Sequence, residues 1–372
     1  MTNSRKRVGI LFGGRSAEQA VSKLSAANIL RALDQDRYEV IPIGIDRDGR
    51  WLLCEGNSQV EMDAPSLEIP DGATQVALVP GGTGDVVRLD GTSALSGSPL
   101  RLDVVFPVLH GPNGEDGTVQ GLLELAGVPY VGSSVVGSAA SMDKDVCKRL
   151  LREAGIPIVP FLTMKAHNRV DYGAAVAAVG SPDLFVKPAN MGSSIGVSQA
   201  RSAGEFDQAC DLAFGYDTKV IVEQDVAGAR EIECSVLERA SGEVRASSPG
   251  EIVLAADHGF YTYDAKYLDP DGASIRIPAD LTPEQTRRVR DLAVEAFHAV
   301  GCEGLARVDF FVDPQRESSL FVNEVNTMPG FTAISLYPKM WEADGLPQEE
   351  LMDILIAHAL TRHERRSVLA GA

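Results

Sequence analysis

The chain has 372 residues, 44% of them hydrophobic, with 34 Lys and Arg against 52 Asp and Glu, a formal net charge of -18. That length suits two or three domains with ample core, and the acidic balance opposes attachment to nucleic acid or an anionic membrane, so neither is expected as a partner. Five scattered cysteines without C-x-x-C spacing speak against a zinc or disulfide framework, and no apolar run suits a signal peptide or a membrane span, so a reducing, cytoplasmic location is expected.

In chain order, Val8 to Phe12 reads as a buried first strand, followed by a tight turn at Gly13-Gly14. Ser16-Ala17-Glu18-Gln19 matches a capping box for a helix continuing through Leu33. Tyr38 to Ile45 is a second β-rich run, so the opening is a β-α-β unit of Rossmann type. The G-x-G-x-x-G fingerprint is absent, which argues against a nicotinamide or flavin dehydrogenase. A hairpin around Trp51 and a Gly- and Ser-rich loop from Gly81 to Ser98 follow. A strand from Leu102 to Leu109 ends at His110-Gly111, and a helix spans Thr118 to Ala126. Tyr130 to Gly132 closes the first domain.

A helix starting near Asp143 carries Lys144, Lys148 and Leu151 and is stopped by Gly155 and Pro157. Strands are predicted at Phe185–Lys187 and Ile195–Ser198, joined by Asn190–Ser194, then a helix at Glu205–Phe214 and strands at Lys219–Glu223 and Glu231–Leu237. A long loop runs from His258 to Gly272 and a helix from Pro283 to Val300. The last helix, Pro347 to about His363, ends in Arg362, Arg365 and Arg366, as a helix dipole favours. The domains fall at residues 1–139, 140–230 and 231–372.

The richest chemistry lies between Gly304 and Gly330, which reads as two strands joined by a polar turn. Alternation puts Arg307 and Asp309 on one face and Glu324 and Asn326 on one face of the second strand. Pairing the strands gathers hard oxygen ligands suited to Mg²⁺ with substrate phosphates, beside an arginine. The alternative is a plain polar sheet face with Arg307 salt-bridged to Asp309 or Glu324. The following turn, Thr327-Met328-Pro329-Gly330, offers backbone N–H groups to an oxyanion, which favours a phosphate-and-metal site. Met191–Gly196 is not a Walker A loop; its glycines would admit phosphates, with Lys187 just upstream, but taken alone an ordinary glycine hairpin is the favoured reading. Glu223 ends an apolar strand and Glu231 stands eight residues on, either to accept bonds from an adenine amino group or ribose hydroxyls or as solvated charges at a strand end. His110 occupies the usual functional edge of an α/β sheet, and a loop histidine making structural hydrogen bonds is the equal alternative.

The order of these motifs resembles the D-alanine–D-alanine ligases of the ATP-grasp superfamily. It runs through Gly13–Glu18, His110-Gly111 with Gly114–Gly117, and Ser141–Lys144. It continues through Lys187-Pro188 with Gly192–Gly196, Tyr263–Tyr267, Arg307–Asp309 and Glu324–Gly330. The resemblance implies an α/β, three-domain ATP-grasp fold with an N-terminal Rossmann-like domain. It implies ATP and two Mg²⁺ (or Mn²⁺), held by Asp309, Glu324 and Asn326. Lys144, Lys187, Ser194 and Lys266 would meet the phosphates, and Glu223 and Glu231 the adenosine. Glu18, supported by Ser193 and Tyr267, would anchor the ammonium of the first D-alanine. Arg307 and the Gly330 N–H would stabilise an oxyanion, while His110, Ser335 and Leu336 would serve substrate binding. A homodimer is expected, and the loop around Lys266 and Tyr267 is expected to close as a lid. Competing expectations are a D-alanine–D-lactate or D-alanine–D-serine ligase of the same fold, and a nucleotide-binding regulator without turnover.

Overall fold

The computed structural model describes residues 5–54, 64–89, 100–254, 273–313 and 319–370. Strand β1 (Lys6–Gly13) is buried from Val8 onwards, because parallel neighbours flank it: β2 (Tyr38–Ile45) on one side and β7 (Val104–Pro107) on the other. The sheet extends antiparallel from β2 through β3 (Trp51–Leu53), β4 (Thr74–Leu78), β5 (Asp85–Arg88) and β6 (Leu100–Arg101). The segment expected as a loop from Gly81 therefore contains β5, while residues 90–99 lie outside those described.

Helix α1 (Gln19–Ala32) begins later than the capping box implied. Glu18 is its N-cap residue and makes no side-chain cap bond. The Ser16 hydroxyl is drawn away to donate to the His110 carbonyl (2.8 Å), and it accepts from the Glu18 N–H (3.1 Å). Glu18 is thereby left at the helix mouth rather than in the first turn. Helices α2 (Thr118–Leu125), α3 (Val135–Met142) and α4 (Lys144–Glu153) follow. Asp143 caps α4 by accepting from the Val146 N–H at 3.1 Å. Sequence reasoning passed over α3, whose Val-Val-Gly-Ser opening has weak helix propensity.

A second sheet, entirely antiparallel, has the order β10-β9-β11-β8. Its strands are β8 (Phe161–Lys165), β9 (Leu184–Pro188), β10 (Ser198–Ala200) and β11 (Lys219–Gln224), with α5 (Tyr172–Val179) and α6 (Ala203–Phe214) packed against it. Ile195–Val197, expected in a strand, belong to the loop, and β10 starts at Ser198.

The third sheet runs β15-β14-β12-β16-β17, with β13 beside β12. It is built from β12 (Arg230–Glu238), β13 (Val244–Ala246), β14 (Gly250–Leu254), β15 (Ala273–Arg276), β16 (Leu305–Val312) and β17 (Leu320–Asn326). Helix α7 (Pro283–Ala299) has the capping box Thr282/Gln285 and proline in its first turn. Helices α8 (Leu336–Ala343) and α9 (Gln348–Ala370) complete the described chain. Because α9 continues to Ala370, Arg362 and Arg366 are not at its end. Arg362 donates to the carbonyls of Tyr130 (2.7 Å) and Gly132, and Arg366 reaches Glu124 (2.8 Å) and Glu303 (3.0 Å). They fasten the last helix to the first region instead of compensating its own dipole. One core continues that junction, with Val8, Ile10 and Phe106 packed in the same cluster as Phe331, Tyr337 and Leu355. Among the described residues no helix is long and apolar enough to cross a membrane. All five cysteines are free and buried.

Candidate active site

The alternation read from the sequence sets the centre of the site. β16 buries Val308, Phe310 and Val312 and leaves Arg307 and Asp309 on its other face. β17 pairs with it so that Asp309 lies opposite Glu324 and Arg307 opposite Asn326. The register shifts between Asp309 and Phe310, a local irregularity of the kind that re-aims side chains at active sites. Arg307 forks onto Asp309 through Nε and Nη2, both at 2.7 Å, and Nε also lies 3.0 Å from Glu233. The salt bridge of the plain sheet face is thus present, but in an unusual setting. Burial would lower the pKa of this guanidinium, and the Asp309 and Glu233 carboxylates more than offset that, holding it well above its ordinary value. Asn326 Nδ2 donates to Asp309 at 3.0 Å. Two carboxylates and one amide on a single face form a hard-oxygen donor set that fits a divalent cation shared with phosphate oxygens.

This face forms part of the wall of a cavity of about 430 Å³. The opposite wall comes from the second sheet and α4, and it supplies cations. Lys144 Nζ donates to the Met191 carbonyl at 2.6 Å and lies 3.6 Å from Glu324. Lys187, on β9, is paired with Glu223, on β11, and lies 3.4 Å from the Asn323 amide oxygen. Lys148, one helical turn beyond Lys144, reaches the same Glu223 carboxylate at 2.6 Å. Burial alone would raise the Glu223 pKa, but the two ammonium groups hold it down to about 2. Ser194 and Glu231 also line the cavity.

At the other end of the site, Glu18 is nearly buried. The Ser193 hydroxyl donates to its carboxylate across 175 positions of sequence. Ser193 and Ser194 hold φ angles of 50° and 57°, left-handed conformations that non-glycine residues seldom adopt and that gather at functional loops. Gly111 has φ 72°, and a Cβ there would come within 2.7 Å of Glu18 Oε2, so the carboxylate is seated against bare backbone.

The turn after β17 is held by side chains from the first region. His110 Nδ1 donates to the Met328 carbonyl at 3.0 Å, which leaves Nε2 to accept from Ser25, 3.5 Å away. Burial pushes the His110 pKa down, in keeping with a neutral ring. Ser25 Oγ accepts from the Phe331 N–H (3.1 Å), and Asn28 Nδ2 donates to the Phe331 carbonyl (2.9 Å). A Cβ on Gly330 would meet Ser335 Oγ at 2.8 Å, so this position is close-packed against the start of α8, where Leu336 is buried. Glu115 accepts from the Gly111 N–H (2.8 Å) and the Met328 N–H (3.2 Å).

Burial and the nearby Glu18 carboxylate push the Glu115 carboxyl up to about 8, against the pull of those two amides. Between its ordinary value of 4.5 and about 8 the folded protein keeps a proton that the unfolded chain has lost. The stabilising contribution is therefore full below that range and declines as pH rises through it. The Tm of the wild type should fall with pH across this window more steeply than that of Glu115→Gln. Parallel curves would mean that Glu115 is ionised in the folded protein.

Of the residues singled out from sequence, Lys144, Lys187, Ser193, Ser194, Glu223, Glu231, Asp309 and Glu324 line the one cavity. Glu18 joins it through Ser193, and Asn326 and Arg307 through Asp309. Lys266 and Tyr267 lie outside the described residues, as does the expected lid. Glu115, Lys148 and Glu233 were missed as site residues. Lys148 stands four residues after Lys144 on a helix and Glu233 two after Glu231 on a strand, the spacings that share a face.

Two sheets facing one another across a cavity, one offering lysines and the other carboxylates, with a Rossmann-like sheet alongside, define an ATP-grasp protein. The D-ala D-ala ligase N-terminus family matches residues 7–133 and the D-ala D-ala ligase C-terminus family matches residues 150–357, and the chain belongs to the D-alanine–D-alanine ligase family. It is 61% identical over 373 residues to D-alanine–D-alanine ligase B of Bradyrhizobium diazoefficiens, covering 100% of this chain and 98% of that one. Among solved structures it is similar to the D-alanine-D-alanine ligase of Coxiella burnetii, with a TM-score of 0.85 and 36% identity over 98% of this chain and 97% of that one. It is also similar to the VanG D-Ala:D-Ser ligase of Enterococcus faecalis, with a TM-score of 0.82 and 35% identity over 96% of this chain and 100% of that one.

Proposed function

We propose that the chain is an ATP-dependent ligase that joins two molecules of D-alanine, making D-alanyl-D-alanine for peptidoglycan precursors. The observation that carries this reading is that Asp309 and Glu324 line one cavity with Lys144 and Lys187, while Arg307 and Asn326 bond to Asp309 beside it. A carboxylate resists attack by an amine, so its oxygen first takes the γ-phosphoryl group of ATP, giving an acyl phosphate and ADP. The second amine then attacks the carbonyl carbon, the amine proton is lost, and phosphate leaves.

Glu18, braced by the Ser193 hydroxyl, holds the ammonium of the first D-alanine. Lys144, Lys187 and Ser194, with Lys266 assigned on sequence alone, bind and orient the polyphosphate. Glu223 and Glu231 take the adenosine. Two Mg²⁺ (or Mn²⁺), when bound, offset phosphate charge, and Asp309, Glu324 and the Asn326 amide would hold them. Arg307 and the Gly330 N–H face the developing oxyanion. Ser335 and Leu336 adjoin the second substrate. His110, with both ring nitrogens engaged inside the protein, acts by holding the turn that carries Gly330. Residues 1–139, 140–230 and 231–372 serve as the three domains of a cytoplasmic homodimer. ADP release by the purified protein with Mg²⁺, compared with and without D-alanine, tests the reading. Release that does not depend on D-alanine would sink it.

The second substrate turns on Tyr267, since likeness to a D-Ala:D-Ser ligase leaves the fold neutral on that choice. In the family that the chain resembles, a tyrosine at this place goes with dipeptide rather than ester formation, and a polar group left unpaired in a closed site is costly. In competition between D-alanine and D-lactate near neutral pH, the amide should dominate for the wild type, and Tyr267→Phe should shift the ratio towards ester. An unchanged ratio would remove Tyr267 as the discriminating residue.

A further inference from the structure

Glu223 is unusual in having two ammonium partners, and they differ in kind. Lys148 Nζ lies 2.6 Å from Oε1, with side-chain exposures of 2% for both residues. It projects from α4 behind the cavity wall and lies 5.9 Å from the centre of the Phe161 ring. Lys187 holds Oε2, lines the cavity, and also lies 3.4 Å from Asn323 Oδ1. One lysine is therefore locked inside the protein, while the other stands where a ligand enters.

We propose that Lys148 is the fixed counter-ion of Glu223, a positioning residue that allows Lys187 to leave this carboxylate for the phosphates of a bound nucleotide. The inference rests on the nucleotide reading above. A buried carboxylate stripped of its only cation is strongly disfavoured. With Lys148 in place, departure of Lys187 leaves a neutral pair behind. Without Lys148, every phosphate contact made by Lys187 would strand a bare charge, so Lys187 would stay on Glu223 and the polyphosphate would lose a cation. Lys148 thus influences the ligand without touching it. The effect belongs to the phosphates and not to the nucleoside, since Glu223 stays ionised and held by Lys187 when only adenosine is bound.

The test compares the affinities of ADP and adenosine, each with Mg²⁺ present, by calorimetric titration or competition. In Lys148→Met the preference for ADP over adenosine should drop by at least about tenfold, because a buried charge that loses its partner is strongly disfavoured. Lys148→Arg, which keeps the charge, should preserve the preference. A loss of packing alone would weaken both ligands together, and an unchanged ratio in Lys148→Met overturns the inference. If Lys148→Met alone does not fold, the decision passes to Glu223→Gln against Glu223→Gln/Lys148→Met. With the carboxylate neutralised, removing Lys148 should leave the ratio unaltered, and a further drop would overturn the inference. Wild-type protein that binds neither ligand would instead sink the nucleotide reading itself.

Discussion

Asp309→Asn and Glu324→Gln should each lower turnover by several orders of magnitude while leaving the fold in place. Each exchange removes one negative charge and almost no volume from a face where the two carboxylates sit directly opposite across the β16–β17 ladder. Hard divalent cations depend on such charge, and an amide oxygen is a weak replacement. Arg307 adds a second consequence in Asp309→Asn. Its fork at 2.7 Å then meets an amide with one donor end, so the guanidinium loses half of a charge-assisted contact. Glu324→Gln leaves that fork untouched and should therefore be the cleaner measure of the metal contribution. The check is kcat at saturating ATP and Mg²⁺, with circular dichroism to establish folding. Near-normal rates in both variants would remove these residues from the metal site.

Arg307→Lys should reduce kcat by about 10² to 10³, the range for losing one preorganised oxyanion donor. The substitution keeps the positive charge that Asp309 and Glu233 require, which Arg307→Met would not. Loss of charge would leave two largely buried carboxylates uncompensated and confuse catalysis with unfolding. Lysine instead gives up the planar fork, so it cannot satisfy Asp309 on one edge and present a further N–H to the substrate. The KM for ATP should change little, because Arg307 is assigned to the acyl carbon and not to the nucleotide. A variant within a few-fold of wild type in kcat would place the oxyanion elsewhere.

What could be read from sequence was what repeats with a short period. Alternation along β16 and β17 put Arg307, Asp309, Glu324 and Asn326 on their faces before any fold was known. The parallel opening through β1 and β2 followed from an uninterrupted apolar run. The errors arose where a distant partner overrode a local preference. Ser16 has the chemistry of a helix cap, yet it is claimed by the carbonyl of His110, 94 positions away. Arg362 resembles a dipole partner until Tyr130 and Gly132 supply stronger acceptors. Lys148 was placed on its helix without a role, because nothing local announces that it will meet Glu223 and Phe161. Glu115 was visible only as one letter of a motif, since its raised pKa depends on burial and on Glu18, both products of the finished fold.

Helix α1 and its neighbours connect parts of the chain that are far apart in sequence. Glu18 at its mouth meets Ser193, 175 positions on, and Asn28, farther along the same helix, holds Phe331 across 303 positions. Contacts of such separation form only after large loops have closed. The site is accordingly a product of the whole fold rather than of any one sheet. A chain made only as far as its first sheet has Glu18 without Ser193, and helix α1 without the Phe331 backbone that Asn28 engages.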